Sequence, residues 1–215
     1  MGSDFEMIHH IESEDGSDIR DGSGGESGAD YGGDLAQVSG VDLNIGADTC
    51  GGGAAEMPND QPGEDLNDTG SDAVLDNFQE SKWSDLSLEE KKQSMAELAD
   101  FVAADTGNAN PPEIAFSDDM ADGTYGGYSP ETNRIEINVN MLGDSTEAAD
   151  TIAHEMWHAY QEQASKDPNN PRAGDYQEGF DNYISPEYDF EGYENQMVEA
   201  EARDYAQGFK DRIGS

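Results

Sequence analysis

Apolar and polar positions fall into recognisable periods only from about residue 80 onward. Ser87-Leu-Glu-Glu90 is a capping box, in which a serine and a glutamate three apart satisfy each other's free backbone N–H groups. It opens a helix whose apolar positions Leu88, Met95, Leu98 and Val102 run to about Asp105, with Gly107 as its stop. Pro111-Pro112 resets the chain, and Glu113–Phe116 predicts a short strand. Thr124–Tyr128 and Arg134–Val139 predict a hairpin joined through Ser129–Asn133. In its second arm Ile135, Ile137 and Val139 alternate with Glu136, Asn138 and Asn140, the period of a half-buried strand. Asp144, with Glu147 three residues later, caps a long helix through about Ser165. After a Pro/Asn-rich loop at Lys166–Asp175, Tyr176–Tyr183 reads as helical, Ser185–Tyr193 is broken by Pro and Gly, and Glu194–Phe209 forms the last helix. This order of elements predicts an α+β domain with a small antiparallel or mixed sheet.

Residues 1–79 show no such period. They hold 15 of the 25 glycines and 19 of the 49 acids, but only three of the 18 aromatics and one of the ten cations, Arg20. Stretches such as DGSGGESGADYGGD cannot bury enough apolar area to offset chain entropy. Residues 1–79 therefore read as an acidic, Gly-rich disordered tail or linker, with short helical turns expected at most near 5–12 and 72–80. The folded domain is expected at 80–215, a length suited to one domain and one that carries both tryptophans. Cys50 stands alone in a glycine run, which excludes an internal disulfide and leaves an inert linker thiol.

The net charge of −39 narrows the function. Ten scattered cations make no phosphate-binding patch, which argues against nucleic acid and against docking on anionic lipid. No apolar run approaches the ~20 residues of a membrane span. The start, MGSDFEMIHH, lacks the basic region and apolar core of a secretory signal. That leaves a cytoplasmic protein, one exported by a specialised route, or part of a longer chain.

One short pattern carries chemistry: His154-Glu155-Met156-Trp157-His158, an HExxH. Side chains four apart share a helix face, so the two imidazoles can hold one Zn²⁺. The adjacent glutamate, rotated around the helix, can face a water polarised by the ion and take its proton. Stepping about 100° per residue, one half of the helix carries Ala148, Ala149, Ile152, Ala153, Met156, Trp157, Ala159, Tyr160 and Ala164. The other carries Glu147, Asp150, Thr151, His154, Glu155, His158, Gln161, Glu162 and Ser165. Both histidines thus sit on the polar half, away from the predicted core. Structural zinc sites usually close with four Cys/His ligands, which this chain cannot supply here, so a catalytic site is expected. The remaining histidines, His9 and His10, fall in the tail. A third ligand must then be a carboxylate, and Glu199 and Glu201 of the last helix are the candidates. They flank its apolar centre, Val198, Ala202, Tyr205 and Phe209, on opposite sides, so periodicity does not choose between them.

The run Thr151-Ile-Ala-His154-Glu155-Met-Trp-His158-Ala-Tyr-Gln161, followed by Asn195-Gln-x-x-Glu199-x-Glu201-Ala202-x-x-Tyr205-Ala206, resembles the small gluzincin type of zincin-like zinc metallopeptidase. Such domains are common in bacterial secreted or toxin-like proteins. The resemblance spans roughly residues 85–210. It implies a zincin-like fold with an HExxH helix and a C-terminal ligand-bearing helix. It implies zinc on His154, His158 and Glu199, with Glu201 as the alternative, and Glu155 as general base. It also implies that the 134–139 arm is an edge strand able to pair with an extended peptide. Arg203 stands where larger gluzincins carry an acid that orients a histidine, leaving Asp204 or Glu201 for that task. An oxyanion donor is needed as well, with Tyr193 the first choice among Tyr183, Tyr188, Tyr193 and Tyr205. The expected function is a zinc-dependent metalloendopeptidase acting on a protein or peptide, of secreted or toxin type with a cognate immunity or inhibitor protein. The alternative is an inactive zincin-fold binding module with an acidic interaction tail. In an active peptidase the tail is a candidate inhibitory segment.

Overall fold

The computed structural model of the protein describes Met7–His10 and residues 73–213. Cys50 and most of the expected tail lie outside the described residues. The architecture is mixed α+β. In chain order the elements are strand β1 (Met7–His10), a 3-10 turn at Asp76–Phe78, helix α1 (Glu80–Trp83), α2 (Leu88–Asp105), β2 (Glu113–Ser117), β3 (Thr124–Ser129), β4 (Arg134–Asn138), a second 3-10 turn at Val139–Met141, α3 (Ser145–Lys166), α4 (Ala173–Asp181), α5 (Phe190–Glu194) and α6 (Met197–Ile213). No helix among the described residues is long and apolar enough to cross a membrane.

The helix starts follow from side-chain caps. Ser87 and Glu90 form both halves of the capping box on α2, with the Ser87 N–H donating to Glu90 Oε2 at 2.8 Å. Asp144 Oδ1 accepts from the N–H groups of Thr146 and Glu147 at the start of α3. Folding begins before residue 80. Leu75 and Phe78 are buried, and Phe78 stacks on Trp83 with ring centroids 5.0 Å apart. The helical turns expected near 72–80 are thus present and packed. The stretch near 5–12 contributes a strand where a helical turn was expected, because its backbone groups find partners in the sheet.

The sheet order is β1-β3-β4-β2. β1 and β3 pair antiparallel, β3 and β4 form the predicted hairpin, and β2 lies parallel to β4 with Glu113 opposite Arg134 and Ser117 opposite Asn138. This corrects the edge-strand expectation. The 134–139 arm is interior, bonded on both sides, and the outer strands are β1 and β2. Val139 also leaves the strand, because the Asn138 side chain accepts from Asn140 N and starts the 3-10 turn. Asn133, with φ 49°, turns the hairpin and accepts from the Tyr128 hydroxyl at 3.1 Å.

Helix α3 is the centre of the molecule, packed against α6, α2, α4 and β3. Its apolar half builds the core with Trp83, Met95, Leu98, Ile135, Ile137 and Phe209. Trp157 stacks on Tyr205 of α6 at 4.3 Å, and the Tyr205 hydroxyl donates to Asp105 on α2 at 3.0 Å. The polar half is not solvated as its composition suggests. Thr151, His154, Glu155, His158 and Gln161 are all buried, because β3 and α6 cover that side. The approach of β3 is close: a Cβ on Gly126 would lie 2.9 Å from Thr151 Cγ2.

Candidate metal centre

His154 and His158 come from adjacent turns of α3, and Glu199 comes from the first turn of α6, where the helix dipole favours a carboxylate. The packing of α6 on α3 brings the three together. His154 Nε2 lies 3.0 Å from His158 Nε2 and 3.2 Å from Glu199 Oε2, and His158 Nε2 lies 3.4 Å from Glu199 Oε1. Two ligand atoms on a tetrahedral ion at 2.0–2.1 Å are about 3.3 Å apart. The three residues therefore fit one metal ion, and among the described residues they form the group able to hold one.

Glu155 lies beside this group. Both of its carboxylate oxygens are buried with no hydrogen-bond partner among the described residues. Burial pushes its pKa up to about 8; His158 and the backbone of Tyr128 pull it down, while the charge of Glu199 pushes the same way as burial. For Glu199 burial acts upward, but His158 and His154 outweigh it and hold the carboxyl well below the usual range. For His158 burial acts downward, and the Glu199 charge and hydrogen bond reverse the sign, so its pKa is raised.

Gln161 fixes the state of His158. Its Nε2 donates to the Val198 carbonyl at 3.0 Å, which orients the amide so that Oε1 faces His158 Nδ1 at 2.9 Å. An acceptor there holds a proton on Nδ1, so in the neutral ring the lone pair is on Nε2, facing Glu199 and His154. The orienting task expected of Asp204 or Glu201 thus belongs to Gln161. The periodic signal was present, since Gln161 is three residues after His158 on the same face; what sequence did not carry was that this face is buried.

Glu201 is not a metal ligand in this arrangement. It pairs with Arg172, which also donates to the Tyr176 hydroxyl at 3.1 Å and lies over that ring at 4.7 Å. Its other oxygen meets Gln161 Nε2 at 3.4 Å. Arg172 went unnoticed in the sequence because its loop carries no pattern.

Two of the four candidate tyrosines reach the centre. The Tyr183 hydroxyl donates to Glu199 Oε1 at 2.6 Å, and the Tyr193 ring is buried 6.3 Å from that of Tyr183. Burial, reinforced by the Glu199 charge, raises both phenol pKa values, so both hydroxyls stay protonated donors at neutral pH. Tyr188 is 88% exposed and Tyr205 faces Asp105, so neither serves the site. His9 and His10 lie in β1.

Comparison with family models, with curated proteins and with solved structures finds no match. The functional reading rests on the site itself.

Proposed function

We propose that the protein is a zincin-type zinc metallopeptidase that hydrolyses peptide bonds. A His₂Glu donor set with N and O atoms suits zinc, and three protein ligands leave a position for water and substrate, as catalytic sites require. His154, His158 and Glu199 hold the ion. Zinc held there would supply Lewis-acid polarisation of a carbonyl and a water acidic enough to act near neutral pH. Glu155 accepts the proton of the attacking water as the C–O bond forms, then delivers it to the leaving amine as the C–N bond breaks. Tyr193, with Tyr183 beside it, donates to the oxygen on which negative charge develops.

The observation that carries this reading is the state of Glu155. A carboxyl buried with neither oxygen in a hydrogen bond of ordinary length is expensive to maintain, and a purely structural metal site has no use for it. The same observation weighs against the inactive binding module. Glu155→Gln is the test: the variant should bind zinc with the wild-type stoichiometry and lose hydrolysis of an unstructured polypeptide by at least about a hundredfold. Hydrolysis at the wild-type rate by a zinc-loaded Glu155→Gln protein would remove the mechanism.

A further inference from the structure

Building on the peptidase reading, in which an extended substrate pairs with a sheet edge beside the site, we propose that Met7–His10 is an autoinhibitory strand, holding in cis the outer edge of β3 that the substrate backbone would take. Met7 lies opposite Tyr128, Ile8 opposite Gly127, His9 opposite Gly126 and His10 opposite Thr124, antiparallel, with the register shifting between His9 and His10. The other edge of β3 is taken by β4. The occupant is no hairpin neighbour: 62 residues separate His10 from residue 73. It joins the sheet as a separate peptide would, by strand addition.

The position of this edge gives the pairing its meaning. Gly126 presses on Thr151, one turn before His154, and β3 packs along the helix that carries His154, Glu155 and His158. A peptide on β3 therefore runs alongside the helix that carries the general base. β2, the other outer strand, is separated from β3 by β4 and offers no such approach. The composition of β3 also sets the class of ligand. Gly126 and Gly127 present no side chains on either face, so recognition there is through backbone hydrogen bonds and tolerates many sequences. The substrate class is an extended, unstructured segment of polypeptide, and Met7–His10 competes with it for the same hydrogen bonds.

The test uses the full chain carrying Ile8→Pro and His9→Pro. Adjacent strand residues alternate in pointing toward the partner, so two consecutive prolines remove at least one ladder donor whatever the phase. Three quantities are read on wild type and variant: hydrogen exchange of the 124–128 amides, binding of a labelled peptide corresponding to residues 5–12, and hydrolysis of a reduced, carboxymethylated polypeptide. In the variant the amides should exchange faster, the labelled peptide should bind where wild type excludes it, and hydrolysis should rise about tenfold. That factor follows from a cis segment acting at an effective concentration on the order of 1 mM against a strand affinity on the order of 0.1 mM. Unchanged exchange would overturn the proposal. So would faster exchange with no peptide binding, and in that case equal hydrolysis by both proteins would leave the peptidase reading standing. Peptide binding to the variant alone, with hydrolysis by neither protein, would keep the docking site and remove the peptidase reading.

Discussion

Replacing Gln161 by leucine removes the side chain that sets the His158 tautomer while keeping a similar volume. In the structure Gln161 is fully buried and makes three contacts: His158 Nδ1 at 2.9 Å, the Val198 carbonyl at 3.0 Å and Glu201 at 3.4 Å. The last is long, and Glu201 keeps Arg172, so its loss contributes little. The first leaves a buried N–H without a partner, which costs about 1–3 kcal/mol; the Val198 carbonyl, in the first turn of α6, keeps its helical donor and loses only the second one. The metal-free variant should thus be less stable by about 2 kcal/mol, a loss most domains survive. Metal affinity should fall 10- to 100-fold, because His158 no longer holds its Nε2 lone pair toward the ion. Gln161→Glu supplies the contrast. It keeps an acceptor for Nδ1 but buries a second carboxylate against the Val198 carbonyl and Glu201, so it should recover metal affinity relative to leucine without recovering stability. Urea denaturation of the metal-free proteins measures the first quantity, and competition against a chelator of known affinity measures the second. A leucine variant within about 0.5 kcal/mol of wild type, binding metal equally well, would refute the assignment of Gln161 as the orienting residue.

Other outcomes follow from the same geometry. Elemental analysis should find one zinc per chain in wild type and in Glu201→Ala and none in Glu199→Ala, since only Glu199 faces the histidines. Gly126→Ala should lower stability by about 1–3 kcal/mol in thermal unfolding, because the new Cβ meets Thr151 Cγ2 at 2.9 Å and the Glu136 carbonyl at 3.1 Å; Thr151→Ser should return part of that loss. Glu155 has a folded-state pKa raised from 4.5 to about 8, so its stabilising contribution is complete below pH 4.5 and is lost as pH rises through 8. Metal-free Glu155→Gln should therefore overtake wild type in stability progressively between pH 5 and pH 8, with the difference smallest at acid pH; a constant difference would contradict the burial argument. Zinc affinity should weaken below neutral pH, since the raised pKa of His158 lets protons compete for its ring.

Elements with a local signal were legible in the sequence. The capping box at Ser87 and Glu90, the Asp144 cap, the hairpin arms and the HExxH helix each rest on interactions within a few residues, and each stands where its pattern places it. Pairings between distant segments were not legible. Nothing in Glu113–Phe116 states that it will lie beside β4, so the 134–139 arm was expected at an edge and is interior. Met7–His10 was absorbed into the tail because its neighbours are glycine- and acid-rich, yet a strand needs only backbone partners. The choice between Glu199 and Glu201 turned on the way α6 packs against α3, with Arg172 drawing Glu201 aside. Polarity misled once: most of the hydrophilic half of α3 is buried, because β3 and α6 cover it; His158 and Gln161 satisfy each other there, whereas the Glu155 carboxylate does not find such a partner.

Fifteen of the 22 residues of α3 are buried, including every residue from Ala148 to Ala159. A helix enclosed on both sides cannot fray or roll to expose its histidines. Entry and exit of an ion must therefore wait for the parts that cover it, the segment bearing Tyr183 and Tyr193 and the first turn of α6. Residence time is then governed by the frequency of that opening more than by the strength of the bonds to the ion. Two variants of equal metal affinity would differ in how fast a chelator strips them, according to how tightly that cover is held.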